Sequence, residues 1–209
     1  LDLFCGAGGA SVGYVRAGFE VVGVDIRLQP HYPYDFVRGD ALAVDLEGFD
    51  AIHASPPYQA YSRATAWRGD RDSHPRLIAA TRRRLEDAGV PYVIENVQEA
   101  RYALLAPLKL CGSQFGLPVR SHRYFEIVPE LFELTPPCHH QRDDAIRDHG
   151  DEQTEASFRD AIGCHWMTVH EAREAIPPAF TQWIGARLLD IVNPRPARAI
   201  QDVPTGGLL

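Results

Sequence analysis

Short apolar runs, separated by glycine- and proline-rich turns, dominate the first half of the chain. Leu1 to Phe4, Val21 to Val24, Ala51 to Ala54 and Pro91 to Ile94 each read as a strand. Their apolar residues are mostly continuous rather than alternating, the mark of strands covered on both faces. Between them lie helix-like stretches, one starting near Ser11 and one over Pro75 to Ala88 that Gly89 closes. Strand and helix patterns in alternation predict an α/β fold with a doubly wound, mostly parallel sheet. Leu108 to Cys111 and His122 to Ile127 predict two later strands, joined across Gly116-Leu117-Pro118.

The second half is less regular. Pro129 to Thr154 is acidic and poorly patterned. Thr168-Val169-His170-Glu171 has the form of a helix capping box. Pro177-Pro178 opens a last helix whose apolar face is Phe180, Trp183, Ile184, Leu188 and Ile191. The tail from Asn193 is rich in proline and glycine and reads as irregular. A single domain over residues 1–192 is expected, with a small insertion at about 129–160 and an irregular tail over 193–209.

Composition adds little to this and excludes some alternatives. The 209 residues are 45% hydrophobic, ordinary for one globular domain. No apolar run approaches a membrane span. The chain opens inside a strand and without a methionine, so residues are expected to precede it. Four widely spaced cysteines make no disulfide framework, which points to a reducing, cytoplasmic setting. Cys138, His139, His140, Cys164 and His165 match no standard zinc spacing, and they are read as polar loop residues with no metal.

The net charge of −7 argues against indiscriminate nucleic-acid binding. The distribution is uneven, however. Residues 63–84 carry seven arginines against Asp70 and Asp72. A basic strip on an acidic body can meet a phosphate backbone locally, and Arg63, Arg68, Arg71 and Arg76 are its candidate contacts. Tyr58, Tyr61 and Trp67 stand close by in sequence, as base stacking beside phosphates requires. The same strip also reads as a solvated helix face plus a loop.

The chemistry concentrates at predicted strand ends. Leu1-Asp2-Leu3-Phe4 runs into Cys5-Gly6-Ala7-Gly8-Gly9, a turn in which glycines let backbone approach a ligand. A strand, a glycine turn and a helix N-terminus suit a nucleotide-type cofactor. The G-x-G-G spacing is not the dinucleotide fingerprint. The second strand ends in Asp25, where such folds hydrogen-bond ribose hydroxyls. Gly39-Asp40-Ala41 ends a third short strand and is placed to meet an adenine edge. No phosphate-binding lysine pattern is present, so a cofactor without phosphates fits better, with S-adenosyl-L-methionine the candidate. Asp2, Phe4, Gly6, Gly8, Asp25, Ile26, Asp40, Ala41 and Pro56 are its expected contacts.

D-L-F-C-G-A-G-G at the start, S-P-P-x-Q at Ser55 to Gln59 and E-N-V at Glu95 to Val97 occur in this order. Together they resemble the DNA cytosine-5 methyltransferases, most of all the short phage-type members. The resemblance covers about residues 1–125 and, loosely, the last helix. It implies a Rossmann-like methyltransferase fold, S-adenosylmethionine as methyl donor and DNA as substrate, while the short recognition region leaves a smaller substrate, a free cytosine nucleotide, as the alternative. Strandedness is left open, and a monomer is expected. The space between strand region and last helix is too short for the family's full target-recognition domain.

One position departs from that pattern. The family places a nucleophilic cysteine after the two prolines, and this chain has Tyr58 there. A phenol with pKa about 10 is roughly a thousandth ionised at neutral pH and is a poor carbon nucleophile. Ser55-Pro56-Pro57-Tyr58 also resembles the S-P-P-Y motif of amino methyltransferases acting on cytosine N4. That second resemblance implies direct attack of the exocyclic amine on the methyl group, with Ser55 and the Pro56 carbonyl near the amine and Tyr58 stacked on an extruded base. The favoured expectation is therefore N4 transfer. C5 transfer with altered chemistry, and an inactive cofactor- and DNA-binding relative, stay open. Glu95 is expected to face cytosine N3 and N4. Arg123 resembles the second arginine of the family's Q-x-R-x-R motif. The first falls at Ser121, and Arg120 is its candidate substitute.

Overall fold

The computed structural model describes residues 1–61, 74–131, 135–139 and 152–194. The strands are β1 (Asp2–Leu3), β2 (Val22–Asp25), β3 (Asp35–Arg38), β4 (Ile52–Ala54), β5 (Tyr92–Asn96), β6 (Leu108–Cys111) and β7 (His122–Val128). The helices are α1 (Gly9–Ala17), α2 (Ile78–Ala88), α3 (Glu152–Ala161), α4 (Val169–Glu174) and α5 (Pro178–Val192). Short 3₁₀ turns occupy Gln98–Ala103 and Gly112–Phe115.

The strands form one sheet in the order β3-β2-β1-β4-β5-β7-β6. β1 to β5 pair in parallel, while β7 runs antiparallel to both its neighbours. The strand order reverses direction at β1, between β2 and β4. That switch point is where open α/β sheets leave a crevice for ligands.

Alternation along β5 shows how both faces are covered. Tyr92 and Ile94 join a core with Ile78 and Leu85 of α2. Val93 points the other way, into a core with Tyr14 of α1 and Phe180, Ile184 and Leu188 of α5. α1 and α5 pack closely because small residues face each other. A Cβ on Gly13 would collide with Thr181 Oγ1 and the Pro178 carbonyl. Thr181 Oγ1 donates instead to the Ala10 carbonyl at 2.9 Å, tying the two helices together. A third apolar cluster joins Phe158 of α3, Ile162 just after it and Ala172 of α4 to Val119 and Ala7.

Several element boundaries differ from the pattern-based expectation. β5 continues through Glu95 and Asn96, since pairing with Phe125 and Tyr124 of β7 carries the strand past its apolar run. α2 begins at Ile78 rather than Pro75. α3 occupies a stretch that overlaps the poorly patterned segment. Phe4 is not strand but the first turn residue, with φ 59°. The last helix and the capping box before α4 lie where the pattern puts them.

Candidate functional site

An open cleft of about 1070 Å³ lies over the C-terminal ends of the parallel strands. Segments after β1, β2 and β4, together with the end of β5, supply one wall. Arg120 to Arg123 and the α3–α4 region supply the other. The sequence candidates Asp2, Phe4, Gly6, Asp25, Ile26, Ser55, Pro56, Tyr58, Glu95 and Arg123 all line it.

At the glycine turn the backbone is shaped by one carboxylate. Gly6 N–H donates to Asp25 Oδ2 at 3.1 Å, and Arg27 N–H donates to Asp25 Oδ1 at 2.9 Å. Phe4 and Gly6 both have positive φ, 59° and 50°. A side-chain-bearing residue in that region stores on the order of 1–3 kcal/mol of strain, and such residues cluster at ligand sites. Asp2 is buried beneath, bonded to the Ser11 hydroxyl, which also pairs with Tyr32 Oη at 2.8 Å. Burial pushes the Asp2 carboxyl up to about 7, and its Oδ1 has no hydrogen-bond partner.

A second set of groups forms a chain of contacts at the ends of β4 and β5. Tyr14 Oη and His53 Nδ1 are 2.9 Å apart, and His53 Nε2 and Ser55 Oγ are also 2.9 Å apart. Burial pushes the imidazole down to about 3, so His53 is neutral. The Ser55 hydroxyl also lies close enough to Glu95 to favour its ionised form. With the Ser55 hydroxyl donating to a Glu95 carboxylate, its oxygen accepts from His53 Nε2–H, and Nδ1 accepts from Tyr14. Burial raises the Glu95 pKa, and Arg123 and Ser55 offset part of that rise. Arg123 Nε lies 3.2 Å from Glu95 Oε1, yet that oxygen accepts no hydrogen bond, so the pairing is one of charge. Arg123 also donates to the Ala175 carbonyl at 3.3 Å, joining β7 to the end of α4.

Tyr58 sits half-buried in the cleft wall. Burial, together with the nearby Glu174 carboxylate, raises its hydroxyl above the ordinary phenol value, with Arg123 opposing. The phenolate is thus even scarcer than composition implied. Cys5 is the one cysteine among the cleft residues, and burial drives its thiol far above the usual range. No cysteine lining the cleft therefore offers a ready thiolate.

Other expectations do not meet the cleft. Gly8, Asp40 and Ala41 are outside its lining. Gly8 turns the chain into α1 at φ 86°, with Pro33 and Tyr32 packed where a Cβ would stand. Asp40 is exposed and accepts from the Leu42 amide at 2.8 Å, closing a local turn. Ala41 is core. The Pro56 carbonyl accepts from Asn96 Nδ2 at 2.8 Å, so it faces a protein donor rather than standing wholly free for an amine.

The basic strip is divided. Arg63, Arg68 and Arg71 lie outside the described residues, and Arg76 is exposed. Arg82 and Arg84 are not part of a free cationic face. Arg82 clamps the buried Glu126 with bonds of 2.7 and 2.6 Å and also reaches the Ala103 carbonyl. Arg84 donates to the Ala41 and Val44 carbonyls.

The wall from α3 and α4 escaped the sequence reading. Phe158, Met167, His170, Arg173 and Glu174 face the cleft. Trp166 Nε1 donates to the Ala7 carbonyl at 2.8 Å, and His31 pairs with Glu171 at 2.9 Å, so this wall is fastened to the glycine-turn side. The capping box located α4 but carried no signal of which face meets the cleft.

Comparison with known proteins agrees with this architecture. The chain is similar to the Entamoeba histolytica methyltransferase EhMeth, with a TM-score of 0.57, 11% identity, and coverage of 91% of this chain and 97% of that one. The fold is the Rossmann-like methyltransferase fold. In sequence, 109 residues are 30% identical to the Type II methyltransferase M.FnuDI of Fusobacterium nucleatum. That match takes in 47% of this chain and 32% of the relative, so the chain spans about a third of that protein's length. No protein-family model matches the chain. Among the described residues no helix is long and apolar enough to cross a membrane.

Proposed function

We propose that the protein is an S-adenosylmethionine-dependent methyltransferase acting on cytosine in DNA, with the exocyclic N4 amine as the favoured target. The observation that carries this reading is the meeting of Ser55-Pro56-Pro57-Tyr58 with Glu95, Asn96 and Arg123 in one cleft. The likeness to a Type II methyltransferase supports the reaction class.

The cleft residues suit the cofactor. Asp25 stands at a strand end beside Ile26, which is 66% exposed and offers an apolar surface for an adenine face. Asp2 brings a buried, unpartnered oxygen beneath the glycine turn. Asp2, Asp25 and Glu95 favour a sulfonium cation over a phosphate-bearing cofactor. When bound, the cofactor supplies an electrophilic methyl group.

The chain's own groups would do the rest. The Tyr58 ring stacks on the extruded base and offsets part of the cost of extrusion, stacking being worth roughly 1–3 kcal/mol per base. Glu95 accepts from N4–H in its ionised form and so orients the amine. Ser55 is held by His53 to face the same atoms. Arg76, with Arg63, Arg68 and Arg71, would contact phosphate.

A second reading, transfer to C5, is favoured by the Asn96 bond to Pro56 and by a raised Glu95 pKa, which suits donation to cytosine N3. Incubation with labelled cofactor and single-stranded DNA, double-stranded DNA or cytidine nucleotide, followed by mass spectrometry of digested nucleosides, separates the readings. N4-methylcytosine is the expected product. 5-Methylcytosine replaces the first reading with the second. Cofactor binding without transfer to any substrate assigns the chain a binding role alone.

A further inference from the structure

Three ligand-type side chains from separate segments converge beside β7. Cys111 ends β6 and His122 begins β7, and the antiparallel register sets these two residues opposite each other. Cys138 arrives from the segment that follows β7. One ligand atom from each lies within 4.8 Å of the other two.

The spacing is that of a metal site. Cys138 Sγ stands 3.6 Å from His122 Nε2. With Zn–S near 2.3 Å and Zn–N near 2.0–2.1 Å, a tetrahedral angle separates sulfur from nitrogen by about 3.6 Å. The Cys138–His122 pair thus stands at a ligand-type separation, and the Cys111 sulfur lies within 4.8 Å of both. Cys111 and Cys138 are free thiols, so no disulfide accounts for their approach.

The surrounding bonds hold the same arrangement. Cys111 N–H donates to Gln114 Oε1 at 2.7 Å, and Gln114 Nε2 donates to the Pro136 carbonyl. Ser113 Oγ lies 3.4 Å from Cys111 Sγ and accepts the His139 amide at 3.0 Å. The turn after β6 therefore binds the Cys138 segment on both sides of the cysteine. These outer contacts orient thiols in the way that partners beyond the ligands do at known metal centres.

We propose that Cys111, His122 and Cys138 bind one zinc ion, with a water molecule in the fourth position. Two sulfurs and an imidazole select a borderline-soft, tetrahedral ion over magnesium or calcium, which take oxygen ligands. The ion would fasten residues 135–139 to the β6–β7 hairpin. His122 is the residue before Arg123, so the clamp would also fix the strand that presents Arg123 to Glu95. The spacing of eleven and sixteen residues between the ligands hid the site in the sequence, because only strand pairing brings Cys111 to His122.

The test uses the whole chain purified under reducing conditions without chelator. Elemental analysis should find about one zinc per chain. Cobalt exchanged into the site should give the visible bands of tetrahedral Co²⁺ with thiolate charge transfer. Cys138→Ser, at a half-buried position, should lose the ion and the charge-transfer intensity while its far-ultraviolet circular dichroism is kept. Cys111→Ser should do the same if it folds. Chelation of the unmodified protein should lower its Tm but leave the Tm of Cys138→Ser unchanged. Zinc-free protein that takes up no cobalt overturns the proposal. So does full metal content in Cys138→Ser. None of these readouts depends on methyl transfer.

Discussion

Asn96 Nδ2 donates to the Pro56 carbonyl at 2.8 Å, and both residues are buried. The other end of the same amide accepts from the Val97 N–H at 3.0 Å. One side chain at the end of β5 thereby sets the path of the loop after β4, and with it the position of Tyr58. Asn96→Ala leaves a buried carbonyl without its donor, which costs about 1–3 kcal/mol. Thermal melts should show that loss. If the loop's position matters for turnover, kcat should fall more than tenfold with a smaller change in cofactor affinity. A variant with wild-type kcat would separate the loop from catalysis.

Tyr58 is expected to act through its ring. Its hydroxyl is raised by burial and by Glu174, so it makes a poor nucleophile. Tyr58→Phe should keep most activity, and Tyr58→Ala should lose at least tenfold, in line with roughly 1–3 kcal/mol of stacking. Equal loss in both variants would make the hydroxyl chemical. Tyr58→Cys tests the surrounding pocket. Formation of 5-methylcytosine by that variant would show that Glu95 and Arg123 suffice for C5 chemistry once a thiol is supplied.

The pH dependence of methyl transfer should report the state of Glu95. Burial raises its pKa, with Arg123 and Ser55 in opposition. An ionised Glu95 accepting from N4–H requires activity to rise as pH climbs through that raised pKa. A protonated Glu95 donating to N3 requires the opposite slope. Glu95→Gln should remove the limb in either case. The sign of the limb in single-turnover rates distinguishes the two targets.

His53 should shape acid stability. Its folded pKa of about 3 lies below the ordinary value of 6.5 because burial disfavours the cation. Between those values the unfolded chain binds a proton that the folded chain does not. Stability from this group is therefore complete above about pH 6.5 and falls as pH drops toward 3, by on the order of a few kcal/mol. Asp2, raised by burial to about 7, acts in the other direction, losing stability as pH rises from about 4 to 7. His53→Gln should flatten the acid limb in urea melts across pH. An unchanged limb would assign it to other groups.

Arg82 should be a stability residue rather than a nucleic-acid contact. It is bound twice to Glu126, which is 1% exposed. Removing one partner of such a buried pair costs about 3–5 kcal/mol. Arg82→Ala should show that loss in chemical denaturation and leave the salt dependence of any DNA affinity unchanged. Arg76→Ala should do the reverse, lowering the salt slope by about one phosphate contact.

The arrangement of strands, the glycine turn and the capping of α4 were written in local residue order. Buried parallel strands are short apolar runs, and their ends deliver the next polar residue to the same sheet edge. That is why Asp25, Ser55 and Glu95 could be placed in one cleft without coordinates. Less legible was whatever depends on the partner rather than on the neighbour. Asp40 reads as a site residue at a strand end, but its carboxylate turns to the Leu42 amide. Arg82 reads as surface charge, but Glu126 of β7 meets it on the sheet face that α2 covers. Cys111, His122 and Cys138 carry no shared spacing; the register of β6 with β7 joins the first two, and bonds from Gln114 and Ser113 to Pro136 and His139 bring in the third. Backbone periodicity is a local property, legible from a few residues at a time. Side-chain pairing, burial and the pKa shifts that follow are set by segments dozens of residues apart, and folding alone brings those together.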